Sequence, residues 1–258
     1  MDGDNGRPVV HCWAGCTFVE VQATLAAKGL WPDQGTSLPH EEIERRRRER
    51  EAREETGNRA REAAAAAKWR EARPIEDNHP ADRYLRSRID LPPYPPCLRQ
   101  GIHCSASGRE WPTLVAGAHR YPGDDVVAVQ VTPLDGAGRK AWTKPSRITI
   151  GRLPGAAVRV SPWQEGQRIV LTEGVEDALA VAAACPDMAA WAVLGAANAA
   201  TVRLPHRVPV VLCLDGDEAG RKASVAAAKA LRERGHAVLV AALPDGLDPA
   251  AMLTEASA

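Results

Sequence analysis

The apolar residues in the last third of the chain alternate between two patterns. Continuous apolar runs, "RIVLT", "AAWAVL", "VPVVLCL" and "AVLVAAL", are typical of strands that are buried on both faces. Between them, "GVEDALAVAAAC" and "EAGRKASVAAAKALRERG" space their apolar residues as amphipathic helices do. This alternation predicts an α/β fold over residues 166–258, with a parallel sheet of about four strands flanked by helices.

The preceding part of the chain has other patterns. Residues 79–165 contain short β-type runs separated by turn signals, with a hairpin indicated at Asp135, which predicts a small α+β domain. Residues 36–78 carry the charged run "EEIERRRREREAREETGNRAREAAAAAKWREAR", in which many acids precede bases by four positions. This pattern predicts an exposed linker helix that breaks or frays near Gly57. An arginine strip that binds nucleic acid is the alternative, although the glutamates neutralise its charge.

Composition and charge limit the class of protein. The 258 residues include 33 basic and 33 acidic side chains, so the net charge neither favours nor excludes a nucleic-acid partner. Basic residues nevertheless predominate over residues 79–168, whereas the part after Ile169 is more acidic, so a positive domain precedes a negative one. No apolar run is long enough for a membrane helix and no signal-peptide pattern occurs, which predicts a cytoplasmic protein with reduced cysteines and no membrane partner.

Carboxylates directly follow two of the predicted strands. Glu173 comes after "RIVLT", and Asp215 and Asp217 come after "VVLCL". If the two strands are neighbours, the three carboxylates meet at one edge of the sheet, where a cation would offset their repulsion. Oxygen ligands of this kind favour Mg²⁺ or Mn²⁺ over zinc. The alternative is that each carboxylate only forms a turn or caps the helix that follows it.

The segments "LTEGVEDALA" and "LDGDEAGRKA" resemble the Toprim domain, and in particular the primases of phages and mobile elements. The resemblance implies that Glu173, Asp215 and Asp217 are catalytic and hold divalent metal ions. It also implies a further acidic metal ligand after the fourth strand. Asp248 fits that position best, and Asp245 is the alternative.

The resemblance extends upstream. "YLRSRID", "PTLVAG" and "VVAVQVTPLDGAGRKAW" are similar to the domain that precedes Toprim in such primases, where a basic surface guides the template. Lys140, Lys144 and Arg147 are the candidate phosphate contacts in this domain. Arg221 fits the Toprim motif and is a further nucleotide-binding candidate, with simple solvation as the alternative for all four cations.

The amino-terminal stretch "VVHCWAGCT" is similar to the second half of the zinc-binding module of primases. Cys12 and Cys16 match the later pair of cysteines in that module. The earlier Cys and His would lie before Met1, which implies a truncated or internally initiated reading frame and an incomplete Zn²⁺ site over residues 1–35. The alternative is a reduced pair of cysteines without metal.

The resemblance implies a DNA primase-like nucleotidyltransferase that makes short RNA primers from NTPs on single-stranded DNA, using Mg²⁺ or Mn²⁺. No Walker-type Gly-Lys-Ser/Thr loop occurs in the chain, so a replicative helicase would be a separate partner. A Toprim nuclease would use a similar acidic cluster and is one alternative. A replication accessory that only binds DNA or a helicase is the other.

Overall fold

The computed structural model describes residues 10–12, 14–31, 39–89, 93–105 and 107–256. The chain forms two compact units, Met1–Arg59 and Ala60–Ala258. The division into four segments that the sequence suggests stays a prediction, and its first segment, residues 1–35, lies partly outside the described residues.

Helices and strands alternate along the chain. The helices are α1 (Phe18–Ala27), α2 (His40–Glu71), α3 (Pro80–Arg86), α4 (Val175–Ala184), α5 (Glu218–Glu233) and α6 (Pro249–Ala256), and a 3₁₀ turn spans Ala196–Ala200. The strands are β1 (Leu98–Cys104), β2 (Glu110–His119), β3 (Val126–Pro133), β4 (Ile148–Gly151), β5 (Val158–Arg159), β6 (Ile169–Thr172), β7 (Ala189–Ala192), β8 (Val210–Cys213) and β9 (Val238–Val240). Within these ranges, no helix is both long and apolar enough to cross a lipid bilayer.

The charged segment forms one long helix. The break predicted near Gly57 is wrong, because α2 continues without interruption from His40 to Glu71. A glycine in a helix costs only about 1 kcal/mol relative to alanine. Ion pairs one turn apart offset this cost, for example Arg47 with Glu51 at 2.9 Å and Arg59 with Glu55 at 3.1 Å.

Strands β1 to β4 form an antiparallel sheet in the order β1-β2-β3-β4. The carboxyl end of α2 packs on this sheet, where a Cβ at Gly117 would lie 3.1 Å from the ring of Trp69. Val115, Val129 and Val131 form a small buried core on the same side of the sheet as Ala72. This sheet and the short helix α3 make up the α+β part of the unit Ala60–Ala258.

The second sheet has the strand order β5-β7-β6-β8-β9. Strands β7, β6, β8 and β9 are parallel, as the apolar runs predict, and β5 adds an antiparallel edge. One face of this sheet packs on α4 and the other on α5, which places residues such as Leu179 and Leu231 in two buried cores. The predicted α/β fold is therefore confirmed.

Candidate functional site

The carboxylates that follow β6 and β8 come to the same edge of the sheet. The two strands are parallel neighbours, and Thr172 is the register partner of Cys213. Glu173 follows β6 directly, and Asp215 lies two residues beyond the end of β8. Because these strand ends are adjacent, carboxylates about forty residues apart in sequence are brought together.

A cavity of about 370 Å³ opens at this edge, and we call it the acidic pocket. Its lining includes Arg88, Lys140, Arg147, Glu173, Glu176, Asp177, Asp215 and Asp248. Five residues predicted for the site therefore line one cavity. They are Glu173, Asp215, Asp248, Lys140 and Arg147. Acidic groups from the second sheet and basic groups from the α+β part contribute to the same lining.

Burial and mutual repulsion make three acids of the pocket, Glu173, Asp177 and Asp215, hold their protons more tightly than usual. Burial, with the charges of Glu173, Asp248 and Asp217, raises the pKa of Asp215 to about 6. Burial, with the charges of Asp248 and Asp215, likewise raises the pKa of Asp177 to about 6. The pKa of Glu173 is also raised, mainly by burial and then by Asp217. Glu173, Asp177, Asp215 and Asp248 therefore face one another across the acidic pocket with charges of the same sign.

The pocket suits a divalent cation by the chemistry of its donors. Oδ1 of Asp215 is buried and has no hydrogen-bond partner in the described part of the chain. An unpaired buried carboxylate oxygen among like charges is the kind of group that a hard cation would satisfy. Across the described ranges, however, no three His, Cys, Asp or Glu side chains are arranged closely enough to hold an ion as they stand.

Asp217 has a local structural role. Its side chain accepts a hydrogen bond of 2.7 Å from the backbone N–H of Gly220 and caps α5. It does not line the acidic pocket, although its charge raises the pKa of Glu173 and of Asp215. This hydrogen bond agrees with the alternative that Asp217 caps the helix that follows it. A role of Asp217 in metal binding stays a prediction.

The two glycines of "DGDEAG" allow close backbone approach. A Cβ at Gly216 would lie 2.2 Å from the carbonyl oxygen of Pro244 and 3.0 Å from that of Leu247. A Cβ at Gly220 would lie 2.2 Å from the carbonyl oxygen of Asp215. The N–H of Gly216 also donates to the carbonyl of Leu247 at 2.9 Å. Gly216 therefore holds the segment that carries Asp248 against the loop that carries Asp215.

Replacing Gly216 by alanine is expected to destabilise the protein by about 2 kcal/mol, because the new methyl group must displace the backbone near Pro244. Urea denaturation measures the change. Gly136→Ala is the matched control, since no atom lies within 4 Å of its Cβ position, and its stability is expected to stay within about 0.5 kcal/mol of the wild type. Equal stability of the two variants would contradict the close-approach role of Gly216.

The two acids after the fourth parallel strand have different surroundings. Asp248 lines the acidic pocket, and its Oδ1 accepts a hydrogen bond of 2.7 Å from the N–H of Ala251. Asp245 is 93% exposed and pairs with Arg221 at 2.7 Å. The same guanidinium donates to the carbonyl of Gly216 at 2.6 Å. Arg221 therefore braces the loop that bears the aspartates, and its predicted contact with nucleotide stays a prediction.

Arg147 is held in place by a buried acid. Its guanidinium donates to Oε1 of Glu176 at 2.7 Å, and the hydroxyl of Tyr84 donates to the same oxygen. Burial alone would raise the pKa of Glu176, but Arg147 and the bond from Tyr84 lower it to about 2. Lys140 lies 3.9 Å from Glu176, whereas Lys144 is exposed and does not line the pocket.

Sequence reasoning missed Asp177, Glu176 and Arg88 as parts of the pocket. A local signal for Asp177 was present, because an acid three residues after Gly174 fits the N3 position of a capping box at the start of α4. Its Oδ2 accepts from the N–H of Gly174 at 3.1 Å and its Oδ1 from that of Ala250 at 3.3 Å. No local signal identifies Glu176, because its partners Tyr84 and Arg147 are distant in sequence.

Cys12 and Cys16 lie close together in the unit Met1–Arg59. The backbone N–H groups of Cys16 and Ala14 lower the pKa of Cys12, and the hydrogen bond to Cys12 raises the pKa of Cys16. No third His, Cys, Asp or Glu joins them in a metal-binding group within the described part of this unit. Binding of zinc by this pair stays a prediction.

Two solved structures of primases have chain folds that partly align with this chain. The primase fragment of the bacteriophage T7 primase-helicase protein is 23% identical, with a TM-score of 0.45, over 62% of this chain and 63% of that one. The RNA polymerase domain of the Mycobacterium tuberculosis primase DnaG is 19% identical, with a TM-score of 0.46, over 76% of this chain and 81% of that one.

Sequence families match two parts of the chain. Residues 59–160 match a family described as "Domain of unknown function (DUF7146)", and residues 168–258 match the Toprim domain. A DNA primase of Geobacillus stearothermophilus is 40% identical over 94 residues, which are 36% of this chain and 16% of that protein. Residues 168–258 therefore form a Toprim domain of the primase-like kind.

Proposed function

We propose that the chain is a DNA primase-type nucleotidyltransferase that joins NTPs into short RNA primers on a single-stranded DNA template. The observation that carries the proposal is the acidic pocket, in which opposed carboxylates and three basic side chains face the same space. The Toprim match and the primase relative support the reaction class. The 3′ hydroxyl of the primer would attack the α-phosphate of the incoming NTP and release pyrophosphate.

Glu173, Asp215 and Asp248 are the residues we assign to Mg²⁺ or Mn²⁺, with Asp217 and Asp177 beside them. A divalent ion bound there would neutralise charge on the triphosphate and on the reacting oxygens. The unpaired Oδ1 of Asp215 supports this assignment. The raised pKa values of Asp215 and Asp177 support it as well, because they reflect burial and then repulsion between neighbouring carboxylates, both of which a cation would offset. The carboxylates themselves supply the negative field that selects a cation.

The basic residues of the pocket are assigned to the nucleotide phosphates. Lys140 and Arg147 face the same space as the carboxylates, and Glu176 with Tyr84 holds the guanidinium of Arg147 in one orientation. A fixed guanidinium loses little freedom when it binds a phosphate, so its contact is stronger than that of a mobile side chain. Lys144 and Arg221 would contact the template or nucleotide outside the pocket.

The partners in this proposal are single-stranded DNA, NTPs and a separate replicative helicase, in a cytoplasmic setting. We also propose that the chain is a primase of the phage and mobile-element type, as the family resemblance implies. Zn²⁺ at Cys12 and Cys16 would require ligands beyond these two cysteines, since a structural zinc takes four. The activity at the acidic pocket is proposed independently of that zinc.

An assay of primer synthesis tests the proposal. The chain is incubated with single-stranded DNA, labelled NTPs and Mg²⁺ or Mn²⁺, and the products are separated by size. We expect labelled oligonucleotides with the wild type and about 100-fold less with Glu173→Gln, because the variant removes one of the charges that bind the ion.

Glu165→Gln is the matched control, because Glu165 is an exposed glutamate in the loop before β6, and its activity is expected to equal that of the wild type. Cleavage of the DNA without synthesis would overturn the primase proposal in favour of a Toprim nuclease. No turnover, together with template binding that does not depend on Glu173, would overturn it in favour of a binding accessory.

A further inference from the structure

A second cavity, of about 580 Å³, lies where the end of β2 approaches β5 and β7. We call it the aromatic cavity and define it by Trp69, Arg99, Tyr121, Arg159, Trp163 and Trp191. None of the residues that line it lines the acidic pocket. The proposed reaction therefore does not account for it.

Aromatic rings are concentrated in this cavity. Only 4% of the chain is aromatic, yet three of its seven tryptophans and one of its three tyrosines line the aromatic cavity. Trp191 is buried, while Tyr121 and Trp163 are partly exposed. The ring of Tyr121 lies 6.5 Å from that of Trp163 at an angle of 87° and 6.3 Å from that of Trp191. The cavity thus presents ring faces at different orientations.

Two arginines lie on these rings. The guanidinium of Arg99 is 4.1 Å from the ring centre of Trp69, and that of Arg159 is 5.6 Å from the ring centre of Trp191. Arg99 is fixed by a hydrogen bond of 3.0 Å to the carbonyl of Trp69. Nε of Arg159 is buried and has no acceptor among the described residues. Planar cations stacked on rings extend the flat surface and add positive charge.

The only carboxylate that lines the described part of the cavity is Asp124. It pairs with Arg159 at 3.2 Å but is 93% exposed, so solvent screens it strongly. The lining therefore favours a ligand that has a flat aromatic face and carries negative charge nearby. A nucleobase with its phosphate has both properties, whereas an apolar or proline-rich peptide has only an apolar surface.

We propose that the aromatic cavity binds one unpaired nucleobase against Tyr121 and Trp163, with the attached phosphate on Arg159. Stacking on aromatic rings accepts every base, so the site reads no sequence. A free nucleotide and a base within single-stranded DNA share this chemistry. The site is separate from the acidic pocket, and its occupation requires no metal ion and no catalysis.

Binding is measured with the full chain in EDTA, which keeps metal out of the acidic pocket. The probes are AMP and an oligothymidylate of twelve nucleotides, and the readouts are quenching of tryptophan fluorescence and the dissociation constant. Trp163→Leu is expected to weaken binding about 10-fold and to reduce the quenching, because it removes a stacking face. Trp163→Phe keeps an aromatic ring and is expected to restore most of the affinity.

Two matched controls lie outside the cavity. Trp142→Leu removes a fully exposed tryptophan, and Arg109→Gln removes an arginine stacked 3.8 Å from the ring of Trp111. Both are expected to bind as the wild type does, whereas Arg159→Gln is expected to bind more weakly and to reduce the salt dependence. Circular dichroism and thermal melting verify that each variant is folded.

The two probes distinguish a site for a free nucleotide from a site for a base within single-stranded DNA. Binding of AMP that Trp163→Leu weakens identifies a mononucleotide site, and binding of the oligonucleotide alone identifies a template-strand site. Equal binding by the wild type, Trp163→Leu and Arg159→Gln would overturn the proposal, as would a preference for a proline-rich peptide over both probes. The effects of Trp163→Leu and Arg159→Gln are read in EDTA and outside the acidic pocket, so failure of the catalytic proposal leaves this result unchanged.

Discussion

Asp215→Asn is expected to stabilise the metal-free protein at neutral pH while it removes the metal-dependent activity. Asparagine keeps the shape of the side chain, and Oδ1 of Asp215 has no hydrogen bond to lose in the described part of the chain. The substitution removes a charge that Glu173, Asp248 and Asp217 repel. Because this carboxylate is only about half buried, we discount the gain for solvent screening to about 1 kcal/mol, or about 3 °C in Tm.

The pH dependence has a definite sign. The pKa of Asp215 is raised in the folded state to about 6, from the usual value of 3.8. The folded protein therefore binds the proton more tightly than the unfolded chain, and this residue's contribution to stability is lost as the pH rises through that range. The advantage of Asp215→Asn should be absent below about pH 4 and complete above about pH 7. Thermal melting in EDTA across this range measures it.

A divalent metal ion should make the wild type more stable than Asp215→Asn. Millimolar Mg²⁺ or Mn²⁺ is expected to raise the Tm of the wild type by mass action and to leave that of Asp215→Asn almost unchanged. Primer synthesis by the variant is expected to fall by about 100- to 1000-fold, the range for losing one electrostatic contact with the transition state. Asp245→Asn is the control, because Asp245 lies outside the acidic pocket. An Asp215→Asn variant that still responds to metal would refute the assignment.

Glu176→Gln is expected to destabilise the protein by about 2 kcal/mol at neutral pH, because it leaves the partly buried charge of Arg147 without its acid. Glu176 is 8% exposed and pairs with Arg147 at 2.7 Å. Nε of Arg147 is itself buried and has no acceptor among the described residues. The charges of Glu173 and Asp215 also act on Arg147 but form no ion pair with it in the described part of the chain, so they replace only part of the lost attraction. The expected loss is smaller than for a fully buried pair because the side chain of Arg147 still contacts water.

The effect of pH on this variant is opposite to that on Asp215→Asn. The folded state lowers the pKa of Glu176 to about 2, from the usual 4.5. Its contribution to stability is therefore present above that usual value and is lost as the pH falls towards the folded value. The wild type and Glu176→Gln should differ fully at pH 7 and should converge as the pH approaches 2. Urea denaturation at several pH values measures this convergence.

Glu62→Gln is the matched control for Glu176. Glu62 pairs with Arg120 at 2.7 Å and is more exposed than Glu176, at 28%. Arg120 also donates to the carbonyls of Pro154 and Arg152, so it keeps acceptors when the acid is removed. We expect a loss of at most about 1 kcal/mol. Equal losses from the two variants would contradict the special role of Glu176.

The sequence was most informative where structure depends on near neighbours. The apolar runs located strands β6 to β9, and the spacing of apolar residues located α4 and α5. Thr17 and Glu20, which lie three residues apart in the sequence, form a capping box at the start of α1. The break predicted near Gly57 does not occur, because ion pairs on both sides of this glycine stabilise α2.

Which residues line the acidic pocket was harder to predict from the sequence than the edge of the sheet at which the pocket lies. The ends of β6 and β8 identified Glu173 and Asp215, because residues beyond parallel strands share one edge of the sheet. That Asp248 and Asp177 line the acidic pocket while Asp245 does not depends on how the segment after β9 packs against Gly216. Nothing in the spacing of residues fixes that contact.

By itself, the sequence determined the order of helices and strands, the parallel sheet and the carboxylates at its edge, because periodicity and strand ends are local properties. Only the tertiary structure decided which charges share the acidic pocket, that Tyr84 and Glu176 hold Arg147, and that four distant aromatic residues line a second cavity. The physical reason is that these contacts join segments far apart in the chain. Their geometry depends on strand register and on the packing of one sheet against another.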